Sequence, residues 1–246
     1  AISKSFTLVG NETSLNLGDI VAYARLSESS QLEGGAFNIL KQIYLANNYI
    51  RTQTAQASWV ADKVTIYWKA GFNPYSYYGS ANSLLSFYIP GQSKLYILGG
   101  KDGNVSTIDT DHFDNSVILH EYGHFLEDIY GRSDSPGGSH NGDFIIDPRL
   151  AWSEGWANFF QAAVQGTAFY LDTSGFCGDS VESGSCNQNI YFEFNQSGAT
   201  ADYDAVSATG EGTFREVSVS RSLYKIISAH STTSPKYITI IRLAIC

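Results

Sequence analysis

The chain has 246 residues, of which 43% are hydrophobic and 16% are charged, so it is long enough and apolar enough to bury a core. Its 15 basic and 24 acidic residues give a net charge of −9 at pH 7, which argues against nucleic acids and anionic membrane surfaces as partners. The sequence contains no apolar stretch long enough to span a bilayer.

The first part of the chain predicts an N-terminal extension, one helix and three strands. Residues 1–30 are mixed and polar, and we expect them to pack as an extension. Phe37, Leu40, Ile43, Tyr44 and Ile50 recur at helical spacing and predict an amphipathic helix over 35–54. Apolar runs predict strands at 64–68, 84–89 and 94–98, and the Pro-Gly turn between the last two favours a hairpin. The third strand is either internal to its sheet or an exposed edge that pairs with an extended peptide.

The second part of the chain is mainly helical in prediction. A helix begins near Asp111 or Asp114 and ends at Gly131, and further helices are expected over 150–165 and 212–229. The stretches 131–149 and 171–210 are predicted to be irregular, and 237–245 a buried strand. We therefore expect an α+β fold in one domain, with a strand-bearing upper lobe (about 1–130), a mainly helical lower lobe (about 131–246) and a cleft between them.

Two of the three cysteines are spaced for a disulfide, which would imply an oxidising compartment. Cys177 and Cys186 flank a Gly/Ser-rich loop that a disulfide would close, although two free thiols are the alternative. Cys246 is left over. The chain starts at Ala1 and contains no Met, which is typical of a processed chain or an excised fragment. We expect a secreted or cell-envelope-exposed protein; the oligomeric state is not indicated.

The strongest chemical signal is the pentapeptide His120-Glu121-Tyr122-Gly123-His124, an H-E-x-x-H pattern inside the second helix. Two histidines four residues apart lie on the same helix face, one turn from each other, so that both can bind one Zn²⁺ ion. Glu121 can then act as a general base on a water molecule at that ion. His120 and His124 lie off the apolar face of their own helix.

A third metal ligand is predicted on the next helix. Glu154 lies between two tryptophans in Trp152-Ser153-Glu154-Gly155-Trp156-Ala157, which is not an ordinary surface environment for a carboxylate. Gly155 can let two helices approach closely. Asn158, one turn further on, is either an orienting hydrogen-bond partner of a ligand or a simple exposed residue.

The motifs HEYGHF and AWSEGWANFF resemble the gluzincin class of zinc metallopeptidases over roughly residues 85–170. The resemblance implies a zincin-like fold with the metal in the cleft. It implies that His120, His124 and Glu154 bind Zn²⁺ and that Glu121 is the general base in the hydrolysis of a protein or peptide substrate. Glu154-Gly155-Trp156-Ala157 matches the pattern of the aminopeptidase branch.

The departures from that branch favour an endopeptidase. His124 and Glu154 are separated by 29 residues, which is longer than the aminopeptidase spacing, and the motif G-x-M-E-N that holds a free amino terminus has no counterpart. The metzincin pattern also fails, because residue 127 is Glu. The alternatives are a catalytically silent zincin-like binding domain and a zinc hydrolase or aminopeptidase of other specificity.

Other polar residues are weaker candidates. His140 is the main rival ligand, although a loop histidine that can contact substrate is the better interpretation. Possible donors to an oxyanion are Tyr203, Tyr224, Arg221 and His230; the sequence does not choose among them, and for each one a structural role is the better interpretation. Asp134, Asp143 and Asp147 match no calcium motif and are interpreted as solvated loop acids.

Overall fold

The computed structural model describes residues 19, 21–78, 83–142, 144–175, 187–195 and 214–229, and it confirms the α+β class. The elements in chain order are α1 (Glu33–Thr54), β1 (Thr65–Tyr67), a 3₁₀ turn (Pro74–Tyr78), β2 (Phe87–Ile89), β3 (Lys94–Tyr96), α2 (Asn115–Tyr130), α3 (Pro148–Gln165), β4 (Phe169–Ser174), β5 (Asn187–Glu193) and α4 (Glu216–Ala229). Among these helices, none is long and apolar enough to cross a membrane.

Several predicted features lie outside the described residues. These are most of the N-terminal extension, the strand at 237–245, and the cysteines Cys177, Cys186 and Cys246. The division of one domain into two lobes near residue 130 stays a prediction.

The three short strands form one sheet beside α2. β2 and β3 pair as the predicted antiparallel hairpin, and β1 pairs with β3 in parallel, which gives the order β1-β3-β2. Leu95, at the middle of β3, pairs with both neighbours and is fully buried. Because β3 is the central strand, both of its edges are occupied, and its interpretation as an edge that receives an extended peptide is wrong.

The helix predicted at 35–54 forms as α1, but its expected core face is wrong in part. Phe37, Leu40 and Tyr44 are exposed. The buried positions still recur at helical spacing, and several are small or carry amides: Gly35, Ile39, Gln42, Ala46, Asn47 and Ile50. Asn47 is suited to this face because its Nδ2 donates to the hydroxyl of buried Tyr122 at 2.8 Å.

α2 and α3 form the centre of the molecule. α2 follows Asp114 and stops at Gly131, as predicted. α3 begins two residues before the predicted start, because Pro148 occupies its first turn and the side chain of Asp147 accepts a hydrogen bond from the Arg149 backbone N–H. Gly166, with a φ of 67°, ends it.

Glycines allow both neighbours of α3 to approach it closely. A Cβ atom on Gly123 of α2 would lie 3.2 Å from the Cα of Ala157. A Cβ atom on Gly155 would lie 2.5 Å from the Cβ of Val219 and 2.8 Å from the backbone oxygen of Glu216, both on α4. Gly155 therefore allows two helices to approach closely, as expected, and these helices are α3 and α4.

The stretch predicted to be irregular at 171–210 contains most of a hairpin. β4 and β5 pair antiparallel, with Tyr170 opposite Phe192 and their rings stacked at 5.1 Å. This hairpin packs with Val117 of α2 and Val217 of α4 in a second small core. In α4, Val217 and Leu223 are buried, whereas Ile226 is exposed.

Candidate functional site

α2 places the two motif histidines side by side. The Nε2 atoms of His120 and His124 are 3.1 Å apart, and the two rings are nearly perpendicular, at 86°. This is the arrangement that a four-residue spacing gives on a helix. His120 is buried and His124 is half-buried, so the pair lies beneath the surface with one side open.

α3 brings the predicted third ligand to the same point. Oε2 of Glu154 lies 3.2 Å from Nε2 of His120 and 3.3 Å from Nε2 of His124. This buried oxygen accepts no hydrogen bond from the described residues, because the two nitrogens lie near it without hydrogen-bond geometry. The structure thus brings together the three side chains predicted as metal ligands.

The three donor atoms have the geometry of one face of a tetrahedral site. Their separations are 3.1, 3.2 and 3.3 Å. The edge of a regular tetrahedron is about 1.63 times the distance from its centre to a vertex, so a central ion would lie about 2.0 Å from each donor, the distance typical of Zn–N and Zn–O bonds. Two imidazole nitrogens and a carboxylate oxygen are also a donor set that zinc enzymes use. The residues present therefore fit a zinc ion with one coordination position open.

A buried amide fixes the orientation of His120. Its Nδ1 lies 2.9 Å from Oδ1 of Asn158, and Asn158 is only 3% exposed. Because the amide oxygen is an acceptor, Nδ1–H donates, and the lone pair of Nε2 remains for the metal position. Of the two interpretations of Asn158, the simple exposed residue is therefore wrong.

His124 is held by residues that the sequence analysis missed. Its Nδ1 lies 3.3 Å from Oγ of Ser153, and that hydroxyl donates to Oε2 of the buried Glu127. A local signal was present in both cases, since Glu127 is one turn after His124 on α2 and Ser153 directly precedes Glu154.

Glu121 lies beside the three donors without being one of them. It is 9% exposed, and its charge raises the pKa of both His124 and Tyr170. The ring of Tyr170 in turn meets that of His120 edge to face at 5.9 Å. Glu121 directly follows His120 on α2, the position at which the H-E-x-x-H pattern places the general base.

Charges at the centre compensate one another. Burial acts to raise the pKa of Glu154, but the combined effect of His124 and His120 outweighs burial and holds that pKa well below its ordinary value. Burial likewise acts to lower the pKa of His124, but Glu154, Glu127 and Glu121 together hold it well above its ordinary value. The carboxylate is thus ionised and attracts positive charge to this point.

His140 meets the site from the loop between α2 and α3. Its Nε2 lies 3.4 Å from Oε1 of Glu154, and its Nδ1 lies 2.7 Å from Oε2 of Glu216. Although burial lowers it, the pKa of His140 is raised to about 9 by the hydrogen bond to Glu216 and by the two nearby carboxylates. His140 is therefore a cation at neutral pH. It faces the opposite oxygen of Glu154 from the two motif histidines.

The other candidates for an oxyanion donor are placed elsewhere or not described. Nε of Arg221 donates to the backbone oxygen of Glu193, and the ring of Tyr224 stacks on Phe194. Tyr203 and His230 lie outside the described residues. Glu216, which no sequence pattern pointed to, is the partner that holds His140 at the site.

Comparisons with known proteins relate the chain to a peptidase family. The sequence profile described as the mycolysin C-terminal domain matches residues 47–200, a range that includes His120, Glu121, His124 and Glu154. A protein of Archaeoglobus fulgidus described as uncharacterized is 31% identical over 86 residues, which cover 33% of this chain and 25% of the relative. The chain thus spans about a quarter of the length of that curated relative. No solved structure matches the chain.

Proposed function

Because the chain belongs to the mycolysin C-terminal domain family, named after a zinc metalloprotease, we propose that it is itself a zinc-dependent metallopeptidase. The observation that carries the proposal is the convergence of His120, His124 and Glu154 on one point, with donor separations of 3.1–3.3 Å. The position of Oε2 of Glu154 supports it, because this buried oxygen lies 3.2 and 3.3 Å from the Nε2 atoms of His120 and His124, close enough for one cation to contact all three atoms.

Each residue around the metal position has a task in this proposal. A zinc ion held by His120, His124 and Glu154 would supply a Lewis acid for the substrate carbonyl group and for a water molecule. Glu121 takes a proton from the attacking water and gives it to the leaving amine. Asn158 and the Ser153–Glu127 pair hold the two imidazoles in the orientation that binding requires.

His140 extends the proposal to the substrate. Its imidazolium is paired with Glu216 and is about one-third exposed, so it can reach a molecule in the open side of the site. A cation fixed there would stabilise negative charge that develops on the carbonyl oxygen during hydrolysis. This assigns the oxyanion contact to a loop histidine.

We propose an endopeptidase that acts on proteins or peptides. The sequence lacks a counterpart of the motif that grips a free amino terminus. The secreted or envelope-exposed location, inferred from the spacing of Cys177 and Cys186, is part of the same proposal.

The test compares wild type with Glu121→Gln. Zinc content is measured by mass spectrometry of the purified protein, and cleavage is measured on an unbiased peptide library. We expect about one zinc per chain in both proteins and a loss of cleavage of roughly 10²–10⁴-fold in the variant, since the base is removed while the ligands remain. Glu28→Gln, the same chemical change at an exposed position, is the matched control and should cleave as wild type.

The outcomes separate the alternatives. Wild type without stoichiometric zinc would contradict the metal assignment. Unchanged cleavage in Glu121→Gln would contradict the role of the base. A zinc-loaded wild type that cleaves no peptide in the library would instead identify a silent binding domain or a hydrolase of other specificity.

A further inference from the structure

β1 forms an open edge of the first sheet. The strand order β1-β3-β2 gives β1 a neighbour on one side only. The N–H of Thr65 donates to Ser93 and the backbone oxygen of Tyr67 accepts from Ile97, so both residues direct their backbone groups toward β3. Because successive residues of a strand direct these groups to opposite sides, the N–H and C=O of Ile66 point away from β3. No strand in the part of the chain that the structure describes pairs with them.

The side chains along β1 alternate between exposed and half-buried. The residues between the exposed positions pack against the core of the molecule. The alternation continues two residues beyond each end of the strand, and the exposed positions are Lys63, Thr65, Tyr67 and Lys69. Since successive side chains of a strand lie on opposite faces, these four share the outer face. A chain that lies along the edge would therefore meet a cation, a hydroxyl group, an aromatic ring and a second cation.

The aromatic ring in this row is held in place before any partner arrives. Tyr67 stacks on Tyr96 of β3 with a centroid distance of 4.8 Å and an angle of 13°, and Tyr96 stacks on Phe87 of β2 at 4.9 Å. Tyr67 is nevertheless 42% exposed, because it lies at the end of this stack. A ring fixed by its neighbours loses little freedom on binding, so contact with it favours association.

The positive charge of this region contrasts with the rest of the chain. Residues 63–101 contain no Asp or Glu, whereas the whole chain has a net charge of −9. The basic residues of this stretch are Lys63, Lys69, Lys94 and Lys101. The nearest acids in the sequence, Asp62 and Asp102, adjoin its two ends. Lys94 lies directly beside Thr65 in the sheet and adds to the charge of the outer face. Charge complementarity therefore favours an acidic partner.

We propose that the edge of β1 binds an extended acidic segment of a partner protein, which adds a strand to the sheet. The backbone of that segment pairs with the N–H and C=O of Ile66, as in other complexes formed by strand addition. Its acidic side chains lie opposite Lys63 and Lys69, and an apolar side chain lies opposite Tyr67. The acids of the segment are thus separated by six positions, like the two lysines.

Two observations separate this surface from other uses. Single-stranded nucleic acids also bind lysines and aromatic rings, but they have no amide groups to pair with Ile66, and the inner face of Tyr67 is already covered by Tyr96. The edge is also separate from the metal position, because it is β2 that packs on α2, through Tyr88 and Phe125, and β1 lies on the other side of β3. The inference therefore does not rest on the proposed function.

The probe is a labelled peptide, Glu-Thr-Val-Thr-Val-Thr-Glu, whose palindromic sequence places its acids opposite the two lysines in either strand direction. Fluorescence anisotropy measures its binding to the zinc-loaded Glu121→Gln chain, so that any cleavage does not consume the peptide. We expect binding of one peptide per chain that weakens as salt is added. Lys63→Glu and Lys69→Glu should each weaken it about 2–10-fold, whereas Lys41→Glu, at an exposed position of α1, is the matched control and should not.

Backbone pairing is tested separately from charge. The same peptide N-methylated at its Thr and Val residues keeps every side chain and should bind at least about 10-fold more weakly, because it lacks the N–H groups that a strand donates. Amide hydrogen exchange followed by NMR reports on the edge itself. The N–H of Ile66 should exchange rapidly in the free chain and more slowly with the peptide bound, while that of Thr65, bonded to β3, should be protected in both.

Four outcomes would overturn the inference. These are no binding at about 1 mM peptide, equal binding of the N-methylated peptide, full binding by both Lys63→Glu and Lys69→Glu, and tighter binding of an oligothymidylate than of the peptide. An Ile66 N–H that is already protected in the free chain would also contradict it, since another segment of the chain would then occupy the edge. Because no cleavage is measured, failure of the peptidase proposal would leave the result unaffected.

Discussion

Replacing Asn158 by alanine isolates the contribution of a single buried hydrogen bond to metal affinity. Asn158 Oδ1 is 2.9 Å from Nδ1 of His120, and the side chain is 3% exposed. The variant leaves all three donor atoms in the chain. What changes is the group that selects the tautomer of His120 and holds its ring against the metal position.

The expected magnitude follows from two independent considerations. A buried imidazole N–H left without an acceptor costs about 1–3 kcal/mol. Loss of a group that orients a metal ligand weakens metal affinity by about 10–100-fold, which corresponds to about 1.4–2.8 kcal/mol. The two ranges agree, so we expect Asn158→Ala to bind zinc about 10–100-fold more weakly than wild type.

The assay is competition for zinc with a chromophoric chelator at pH 7.5, together with thermal unfolding of the zinc-free proteins. Asn158→Asp keeps an acceptor at the same place and should retain wild-type affinity or exceed it. Asn47→Ala is the matched control, because Asn47 is a buried amide that contacts Tyr122 and lies away from the donors; it should lower Tm and leave zinc affinity unchanged. Equal zinc affinity in Asn158→Ala and wild type would refute the reasoning.

Three further predictions test packing and protonation. Gly155→Ala should lower the free energy of unfolding by about 1–3 kcal/mol, since its Cβ meets α4 at 2.5 Å, whereas Gly123→Ala, with its nearest contact at 3.2 Å, should cost less; urea unfolding measures both. His112 is buried, and burial lowers its pKa to about 4, so the folded state keeps this imidazole neutral. The contribution of His112 to the free energy of unfolding is therefore complete above pH 6.5, and about 3 kcal/mol of it is lost as the pH falls toward 4. His112→Phe should remove that part of the pH dependence of the free energy of unfolding in zinc-free protein. Equal slopes of this free energy against pH in the variant and wild type would contradict the prediction. Zinc affinity should already fall as the pH decreases at values above 6.5, because the raised pKa of His124 lets protons compete with the metal there. Chelator competition between pH 6 and 9 measures this, and a constant affinity over that range would contradict the prediction.

Local signals predicted the helices and the first sheet well. Asp114 and Gly131 flank α2 as predicted, although the side chain of Asp114 makes no capping hydrogen bond, and the predicted Pro-Gly turn lies between β2 and β3. The buried face of α1 was not predictable from apolar periodicity alone, because it includes Gly35 and the amides of Gln42 and Asn47. Hydrophobic residues on that helix therefore point partly to the surface.

The β4–β5 hairpin shows where local reasoning stops. Its two strands are separated by a polar stretch rich in Gly and Ser, so no short turn connects them in the sequence. What stabilises the pair is the stacking of Tyr170 on Phe192 and their packing beneath α2 and α4. Such contacts exist only once the helices are assembled.

The candidate site divides in the same way. His120, Glu121 and His124 follow from spacing on one helix, and Glu154 follows from the resemblance and its tryptophan neighbours. Glu216, the partner of His140, is remote in sequence and belongs to no motif.

The residues proposed to bind the metal and those proposed to contact the substrate lie on different elements of the fold. All three predicted zinc ligands and the groups that orient them, Asn158 and the Ser153–Glu127 pair, come from α2 and α3 alone. His140 comes from the loop between α2 and α3, and Glu216 comes from α4. Because the orienting groups lie within one turn of the ligands on the same two helices, the spacing of α2 against α3 sets the geometry of the metal position. Displacement of α4 should therefore move the pair of His140 with Glu216 and alter hydrolysis, while the affinity for zinc stays close to that of the unaltered chain.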